Sequence, residues 1–269
     1  MTKTILLTGS TDGIGLETAK VLAGLGHTLL IHGRNKTKLA DAQSMLSGIS
    51  GAQTIESYQA DLSRLSDVES LADEVTQKHP QLDVLINKAG GYNAPETITA
   101  GGFDIRFVVN TIAPYLLTQR LLPTMPSDGR VINLSSAAQS PVKLDALAGK
   151  RQLNDSQAYA QSKLAITMWS FHLSRSLGNK GPAIIAVNPA SLLASKMVKD
   201  AYGVAGNDLG IGADILVRAA LSDEFADASG QYFDNDLGQF ASPHPDALDD
   251  RKNERLVQSI EAILAETGT

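Results

Sequence analysis

Cysteine is absent from this sequence, which excludes disulfide bonds, thiol catalysis and zinc sites built from cysteine. Also absent is an apolar stretch of the roughly 20 residues that a membrane-spanning helix requires, and no leader-like segment follows Met1. Basic residues form no run, and the formal net charge is -6, which argues against a nucleic acid or an anionic membrane as main partner. We therefore expect a cytoplasmic protein with no membrane span, no nucleic-acid partner and no metal site.

The residues that are present are typical of a globular chain. Of the 269 residues, 43 % are hydrophobic and 19 % are charged, so the chain can bury a sizeable core. Short apolar runs alternate with amphipathic helical patterns, and no linker or internal repeat interrupts them. This alternation predicts one α/β domain over residues 1–269, with a parallel, doubly wound sheet flanked by helices.

Individual elements follow from the same patterns. Strands are predicted at 4–7, 28–32, 54–59, 82–87, 130–134, 183–187 and, as a short last strand, 231–233. Helices are predicted after the first strand, then at 36–46, 66–79, 102–122 and 157–178, with a terminal helix at 256–264 inside 245–269. The helix at 66–79 is expected to begin with a capping box formed by Ser66 and Glu69.

Three glycines separate the first predicted strand from the first helix. Gly9, Gly13 and Gly15 permit a tight turn and a close approach of the backbone to a phosphate, which the N-terminus of the following helix attracts. Their G-x-x-x-G-x-G spacing differs from the G-x-G-x-x-G of ordinary dinucleotide sites. We predict a dinucleotide phosphate site in this turn. Its residues are Gly9, Ser10, Thr11, Asp12, Gly13, Ile14 and Gly15.

The end of the second predicted strand indicates which dinucleotide binds. In nucleotide-binding folds an acidic residue there binds the ribose 2′-hydroxyl, whereas an arginine accommodates a 2′-phosphate. Here the strand end carries Gly33, Arg34 and Asn35, and no acid. This favours NADP(H), with Arg34 as a phosphate ligand; the alternative is that Arg34 is a solvated loop residue.

Tyr159 and Lys163 lie four residues apart in the predicted helix 157–178, so they share one helix face. An ammonium about 4 Å from a phenolate, at an effective dielectric constant of about 20, interacts with it by roughly 4 kcal/mol. This interaction would lower the pKa of the phenol from about 10 toward neutrality, so that Tyr159 could exchange a proton at cellular pH. Taken alone, such a pair is more often a solvated surface contact.

In order along the chain, these motifs resemble those of the short-chain dehydrogenase/reductase family, from Thr4 to about Phe233. The resemblance implies a Rossmann-type fold and hydride transfer between NADP(H) and a carbonyl or secondary alcohol. The implied catalytic residues are Asn110, Ser136, Tyr159 and Lys163. The implied cofactor contacts beyond the glycine turn, Arg34 and Asn35 are Asp61, Leu62, Asn87, Ala89, Gly90, Tyr159, Lys163, Pro189 and Ser195.

The family also implies a role for each catalytic residue. Tyr159 would be the general acid/base, and Lys163 would bind the nicotinamide ribose and lower the pKa of the phenol. Ser136 would hydrogen-bond the substrate carbonyl, and Asn110 would hold a water for proton relay. Such an arrangement is physically coherent, because two O–H groups would meet the oxygen that gains charge during reduction.

Four departures from the family pattern stand out. Lys88 replaces the second asparagine of Asn-Asn-Ala-Gly, which is expected to affect sheet contacts more than chemistry, and Ala190 replaces a glycine. Ala194 stands where a hydroxyl residue often binds the carboxamide, so Ser195 is expected to serve after a one-residue shift. The segment 141–155 is longer than usual, similar to the retinol-dehydrogenase-like branch; a solvated loop is the alternative.

Apolar residues suggest both a pocket and an assembly. A substrate lid is expected at 191–207, and with three leucines of the long segment it would favour a lipophilic or aromatic ketone or aldehyde. These leucines are Leu144, Leu147 and Leu153. Apolar residues around helices 102–122 and 157–178 predict a homodimer or homotetramer, unless the sheet and the terminal helix cover them. The candidates are Tyr115, Leu116, Met168, Trp169 and Phe171.

Two other functions are compatible with this class of fold. A catalytically idle NADP-binding regulator is one, since fold does not determine function, but such a protein need not retain all four catalytic residues. A sugar-nucleotide epimerase is the other, but its glycine turn typically resembles G-x-x-G-x-x-G. We therefore favour an NADP-dependent oxidoreductase acting on a small-molecule carbonyl or alcohol.

Overall fold

Eight strands form a single sheet in the order β3-β2-β1-β4-β5-β6-β7-β8. The structure, a computed structural model, describes residues 2–92, 94–191, 193 and 206–269. The first seven strands are parallel, and β8 runs antiparallel to β7. The strands are β1 Thr4–Leu7, β2 Thr28–Gly33, β3 Ile55–Gln59, β4 Val84–Asn87, β5 Arg130–Leu134, β6 Ala183–Asn188, β7 Tyr232–Asp234 and β8 Gln239–Ala241.

Helices connect the strands and cover both faces of the sheet. The α-helices are α1 Gly13–Gly24, α2 Lys36–Ser47, α3 Leu65–Lys78, α4 Ile105–Phe107, α5 Ala113–Leu121, α6 Leu144–Leu147, α7 Asp155–Leu177, α8 Leu209–Leu221 and α9 Asp250–Thr267. Short 3₁₀ turns lie at Leu122–Thr124, Gly178–Lys180, Asp223–Phe225 and Pro245–Leu248. None of the described helices combines the length and the apolar character that crossing a bilayer needs.

Alternating side chains of the strands point into two separate cores. Leu6 packs in one core with residues of α3, α5, α7 and α9. Ile5 and Leu7, its neighbours in β1, pack in the other core with residues of α1, α2 and α8. The period of two along each strand therefore fills both layers at once, which is why the inner strands read as continuous apolar runs. The single α/β sheet predicted from the sequence is confirmed.

Strand order reverses between β1 and β4. The chain moves from β1 outward to β3, then returns to place β4 on the other side of β1. In open α/β sheets, ligands bind at this crevice beyond the carboxyl ends of the strands. The loops after β1 and β4 therefore meet there, and they carry the glycine turn and the Asn87–Gly90 motif.

Several predicted boundaries are wrong, each for a local reason. Helix α3 begins at Leu65 after Arg64, whose side chain makes no capping bond, so Ser66 lies inside the helix and no capping box forms. Strand β7 is not the last strand, because the chain turns back at Asp234 and β8 pairs with it. Helix α8 was not predicted, and the terminal helix begins at Asp250, six residues earlier than predicted.

The predicted helix 102–122 is interrupted by a π-helical turn. Residues Val108–Ile112 adopt this wider turn between α4 and α5, with Asn110 in its middle. Such turns are rare and recur at functional sites. The turn accommodates an asparagine whose side chain points away from the helix ladder toward other elements, as described below.

The residues predicted to form an oligomer interface are buried within the chain. Helix α9 packs across α7, and the Tyr115 hydroxyl donates to Oε1 of Glu261 at 2.9 Å. All five candidates are at most 7 % exposed: Tyr115, Leu116, Met168, Trp169 and Phe171. The exposed apolar face inferred from the sequence is therefore wrong, and the oligomeric state stays a prediction without that support.

The leucines of the long segment also pack against protein. Leu147 in α6 is fully buried in the core that contains α7 and α9, and Leu144 and Leu153 pack against the same core. Leu147 is thereby excluded as a wall of a substrate pocket, whereas Leu144 and Leu153 are only partly buried and their contribution to a pocket stays a prediction. Of the predicted lid 191–207, most residues lie outside the described part of the chain, which includes only 191, 193, 206 and 207.

A buried arginine connects α4 to the start of α7. Arg106 is 2 % exposed, and its guanidinium bonds both carboxylate oxygens of Asp104, at 2.8 and 2.6 Å. It also bonds Oδ1 of Asp155, the first residue of α7. Two carboxylates around one guanidinium satisfy a charge that would otherwise be costly to bury. The cluster fixes the end of α7 that lies four residues before Tyr159.

Replacing Arg106 should therefore be severely destabilising. Arg106→Met leaves a buried carboxylate without its partner, and we expect the free energy of unfolding to fall by about 3–5 kcal/mol. Arg151→Met is the matched control, because its pair with Asp145 is exposed at 51 % and 43 %. That control should change the free energy by less than about 1 kcal/mol. Urea unfolding followed by circular dichroism measures both, and similar small losses would contradict the proposed role.

Ala190 adopts a backbone conformation that favours glycine. Its φ is 109°, and it is the one non-glycine residue with positive φ in the described part of the chain. Ala190→Gly should relieve the strain in the folded state but raise the conformational entropy of the unfolded chain. We expect the first effect to be larger, so that the free energy of unfolding rises by up to about 1 kcal/mol. Ala52→Gly, in a loop of ordinary φ, should instead destabilise by about 0.4–1 kcal/mol. Equal destabilisation by both substitutions would refute the strain argument.

Candidate functional site

The glycine turn is compact because three parts of the backbone touch each other. Gly9 and Gly13 have φ of 69° and 54°, which few other residues adopt. A Cβ on Gly15 would lie 2.2 Å from the Gly9 carbonyl oxygen, and a Cβ on Gly9 would lie 2.8 Å from Cα of Ala89. The spacing of the glycines thus follows from a close approach between the turn, α1 and the end of β4.

The N-terminus of α1 is open to an anion at this turn. Asp12 caps the helix by accepting from the Gly13 N–H at 2.8 Å. Among the described residues, the N–H groups of Ile14 and Gly15 have no acceptor. Free N–H groups and the positive end of the helix dipole together make a phosphate site.

Some predicted contacts of the turn are restricted to the backbone. The Ser10 hydroxyl is buried and accepts from the His32 N–H at 2.8 Å. Ile14 is buried in the core shared by α1, α2 and α8, and there it lies beside Gly212. These side chains hold the turn in place, so only their main-chain atoms face the site.

His32 supports the turn from below. Its Nδ1 accepts from the Gly9 N–H at 3.2 Å, and its Nε2 lies 3.1 Å from the Ala60 carbonyl oxygen. Because Nδ1 accepts, the proton of the neutral ring is on Nε2 and is donated to Ala60. Burial lowers the pKa of His32 to about 4, against smaller opposing effects of Ala60 and Asp61. The imidazole is therefore neutral at cellular pH and joins β1, β2 and β3.

An open cavity of about 450 Å³ lies beyond the ends of β2 and β3. Two arginines and two carboxylates line it: Arg34, Arg64, Asp61 and Asp67. Burial opposes ionisation of Asp61, but hydrogen bonds from Ser63 and the charges of both arginines lower its pKa. A Cβ on Gly33 would lie 2.6 Å from Cγ2 of Thr11, so the structure leaves no room for an acidic side chain at the end of β2.

The structure adds Arg64 to the predicted adenosine side and reassigns two other residues. Arg64 immediately precedes α3. Its position three residues after Asp61, a predicted cofactor contact, is the feature of the sequence that could have indicated it. The Asn35 side chain caps α2 by accepting from the Lys38 N–H at 2.9 Å. Leu62 is 6 % exposed in the core, so its side chain cannot contact a ligand there.

Lys163 links α7 to the end of β5. The residue is 3 % exposed, and its ammonium donates to the Leu134 carbonyl oxygen at 2.7 Å. Burial, and then the positive charge of Lys88, lower the pKa of Lys163 to about 7. The ammonium lies 5.8 Å from the ring centroid of Tyr159. The predicted tyrosine and lysine therefore lie on one face of α7 at the carboxyl edge of the sheet.

A second aromatic residue contacts the predicted acid. The rings of Tyr92 and Tyr159 are tilted at 57° with their centroids 5.1 Å apart. Tyr92 belongs to the loop after β4 and was not among the residues predicted for the site. Ser136 lies at the end of β5, half-buried, and its main-chain carbonyl accepts from the Tyr232 hydroxyl at 3.2 Å. Its own Oγ accepts from the Ala138 N–H at 3.1 Å.

The Asn110 side chain is used for positioning. Its Oδ1 accepts from the Gly91 N–H at 2.9 Å, and its Nδ2 donates to the Gly91 carbonyl and to Ser162 Oγ at 3.0 Å each. These bonds hold the loop after β4 against α7, beside Tyr159 and Lys163. Both N–H groups of the amide are therefore bonded to protein, and Oδ1 accepts a bond from Gly91; the water that the family implies at Asn110 stays a prediction.

The remaining predicted contacts are structural or lie outside the description. Asn87 is buried and donates to Asn133 Oδ1 at 2.9 Å and Thr118 Oγ1 at 3.1 Å, which joins β4 to β5 and α5. The Pro189 carbonyl accepts from Asn235. Gly90 is exposed, and a Cβ there would lie 3.2 Å from Asn110 Oδ1 and 3.6 Å from Nζ of Lys163. Ser195 is outside the described residues.

A nicotinamide dinucleotide fits these residues. Among the described residues, the N–H groups of Ile14 and Gly15 at the glycine turn have no acceptor, the cavity at Arg34 offers cations, and Tyr159 and Lys163 lie at the same edge of the sheet. No group of three or more histidine, aspartate or glutamate side chains in the described residues is arranged to bind a metal ion. The site thus combines a phosphate-binding end with an acid–base end.

The chain is similar to known proteins over most of its length. The family model described as short chain dehydrogenase matches residues 3–203. Human retinol dehydrogenase 13 is 31 % identical over 273 residues, which cover 94 % of this chain and 82 % of that protein. A crystal structure of a protein from Mycobacterium paratuberculosis is 27 % identical with a TM-score of 0.81, covering 97 % of this chain and 92 % of that one. Landomycin C-6 ketoreductase, solved with bound NADP and rabelomycin, is 27 % identical with a TM-score of 0.68, covering 87 % and 94 %.

The buried His32 makes stability depend on pH. Its pKa is about 4 in the folded chain and 6.5 in the unfolded chain, so only the unfolded state takes up its proton in between. The contribution of His32 to the free energy of unfolding should therefore be fully present above pH 6.5. It should be lost as the pH falls toward 4, which lowers the free energy of unfolding by about 3 kcal/mol. His32→Asn should flatten that slope in urea unfolding, whereas His172→Asn, on the partly exposed side of α7, should not. An unchanged slope in the first variant would refute the assignment.

Proposed function

The chain belongs to the short-chain dehydrogenase family, and we propose that it is an NADP(H)-dependent oxidoreductase that interconverts a carbonyl compound and an alcohol. One observation carries the proposal. The buried Lys163 ammonium lies 5.8 Å from the ring centroid of Tyr159, on the edge of the sheet where the glycine turn opens. A phenol beside a buried ammonium is suited to proton transfer near neutral pH.

Three side chains have a role in the proposed reduction of a carbonyl: Tyr159, Lys163 and Ser136. A nicotinamide bound at this site would supply or accept the hydride. Tyr159 donates a proton to the substrate oxygen, and the charge of Lys163 stabilises the phenolate that results. Ser136 donates a second hydrogen bond to the same oxygen, after its hydroxyl proton turns from solvent toward the substrate. In the oxidative direction the same groups act in reverse.

Asn110 has a positioning role in this proposal. Its amide holds Gly91, and Gly91 precedes Tyr92, whose ring packs on Tyr159. The asparagine thus orients the wall of the site next to the proton donor. A water for proton relay could bind the remaining lone pair of Asn110 Oδ1 or the main chain of the π-helical turn.

The preference for NADP(H) rests on the two arginines of the adenosine cavity. Arg34 and Arg64 line it together, and a guanidinium matches the fork geometry of a phosphate. The absence of space at Gly33 for an acid supports the same preference. Landomycin C-6 ketoreductase, a structural relative at 27 % identity, was solved with NADP.

The proposed substrates are lipophilic or aromatic ketones, aldehydes or alcohols. The Tyr92 and Tyr159 rings form an aromatic wall at the reacting position. One relative is named for retinol, and another is a ketoreductase solved with rabelomycin. The chain retains the polar groups needed for catalysis, which favours an enzyme over a catalytically idle regulator. A cytoplasmic location and a homodimer or homotetramer stay predictions.

Tyr159→Phe tests the function directly. It removes the proton donor but keeps the ring against Tyr92, so kcat should fall by about 10² to 10⁴ with the best substrate. The dissociation constant for NADPH should stay within about twofold, since the phosphate contacts are unchanged. The measurement follows NADPH absorbance with a panel of lipophilic ketones, aldehydes and alcohols. Undiminished turnover in the variant would show that Tyr159 is not the acid.

Cofactor preference is tested by removing each arginine. We expect kcat/KM to favour NADPH, and Arg34→Ala and Arg64→Ala each to lower kcat/KM for NADPH by about tenfold or more with little effect on NADH. Arg218→Ala is a control, because this arginine of α8 pairs with Glu224 in the following 3₁₀ turn, away from the cavity. A wild-type preference for NADH, or equal losses with both cofactors, would refute the assignment of the 2′-phosphate site.

A further inference from the structure

Lys88 points into the glycine turn. Its Nζ donates to the Gly9 carbonyl oxygen at 3.2 Å and lies 3.5 Å from that of Asp12. Its Cδ lies 3.1 Å from the position that a Cβ on Gly15 would occupy. The aliphatic stem thus fills the space left by this glycine, and the ammonium lies among main-chain carbonyls of the turn.

The neighbouring asparagine already provides the sheet contacts at the end of β4. Asn87 donates to Asn133 in β5 and to Thr118 in α5. The expectation that Lys88 mainly disturbs the sheet is therefore wrong. Its main chain bonds Thr8 Oγ1 at 3.0 Å, so the backbone is fixed to β1 and the side chain is directed along the turn.

The ammonium of Lys88 is short of negative charge. Burial lowers its pKa to about 8, and the carboxylate of Asp12 opposes this only in part. Asp12 is exposed and also pairs with Lys38, at 3.5 Å. The N-terminus of α1 adds its positive dipole end at the same place. An anion beside the turn would therefore gain from both the helix and the lysine.

We infer that Lys88 braces the glycine turn and supplies a positive charge for the pyrophosphate that NADPH and NADH have in common. This inference rests on the proposed function. It assigns to Lys88 a different part of the cofactor from Arg34 and Arg64, which face the cavity at the 2′-phosphate end. The positive charge of Lys88 also acts on Lys163. The phosphates of a bound cofactor would therefore offset the repulsion between the two ammonium groups.

The test is direct binding of both cofactors to Lys88 variants. Titrations followed by protein and nicotinamide fluorescence give dissociation constants for NADPH and NADH without any substrate. Lys88→Met should weaken both by the same factor, about tenfold, because the pyrophosphate is shared. Lys88→Arg should recover much of the loss, and Lys88→Asn should not. Lys180→Met, at the opposite edge of the sheet, controls for the loss of one positive charge.

The outcomes separate this inference from the proposed function. Unchanged affinity in folded Lys88→Met, or a loss limited to NADPH, would overturn the role of Lys88 while leaving an NADP(H) enzyme intact. Failure of the wild-type protein to bind either dinucleotide would overturn both. If Lys88→Met does not fold by circular dichroism, Lys88→Asn and Lys88→Arg still decide, since their affinities should differ by about tenfold.

Proton uptake gives a second readout. The charged groups near Lys88 are Asp12 of the turn and Lys163 of α7, and Lys38 of α2 lies on the far side of Asp12. Binding of NADPH at pH 8 should raise the pKa of Lys88 and take up part of a proton, measured by calorimetry in two buffers of different ionisation enthalpy. Lys88→Arg keeps the charge beside Lys163 but should take up less. Equal uptake by the two proteins would contradict a titrating Lys88 at the cofactor.

Discussion

The close approach of the glycine turn to the end of β4 is the constraint on which the site depends. A side chain at Gly9 would collide with Ala89, and one at Gly15 would collide with the Gly9 carbonyl. The contact exists because β4 pairs with β1 after the strand order reverses. It leaves the N-terminus of α1 facing the crevice, where its free N–H groups and dipole favour an anion.

Asparagines and a histidine support this contact through hydrogen bonds rather than charge. Asn87 joins β4 to β5, Asn110 joins the loop after β4 to α7, and His32 joins the turn to β3. Neutral amides and a neutral imidazole can be buried at low cost once their bonds are made. They hold the phosphate-binding end and the acid–base end in one frame, which lets a bound cofactor span both.

Charged groups near the site are arranged differently. Lys163 and Lys88 donate to main-chain carbonyls, which satisfy their N–H groups but leave their charges uncompensated. Arg106, in contrast, is matched by two carboxylates. The first arrangement attracts anions, and the second only fixes the start of α7. For this reason the pKa values of Lys88 and Lys163 are lowered, whereas the pKa of Arg106 is raised.

Local sequence patterns determined the order of the elements, the glycine turn, the strand ends and the shared face of Tyr159 and Lys163. Periodicity and glycine conformation act within a few residues, so they can be read from the chain directly. Contacts between distant elements could not be predicted in this way. The prediction of an exposed apolar face on two helices is wrong because α9 packs over α7. Helix α9 begins more than 90 residues after α7 begins, so no local pattern could show this contact.

The tertiary structure alone decided what several site residues do. Asn110 binds Gly91, Arg64 joins Arg34 at one cavity, and Lys88 enters a turn that lies 79 residues earlier in the chain. Each role depends on which strand ends become neighbours, and that follows from the packing of both cores rather than from any single segment. The sequence by itself determined the chemical groups and their local geometry; strand order, which only the folded chain establishes, decided which groups meet.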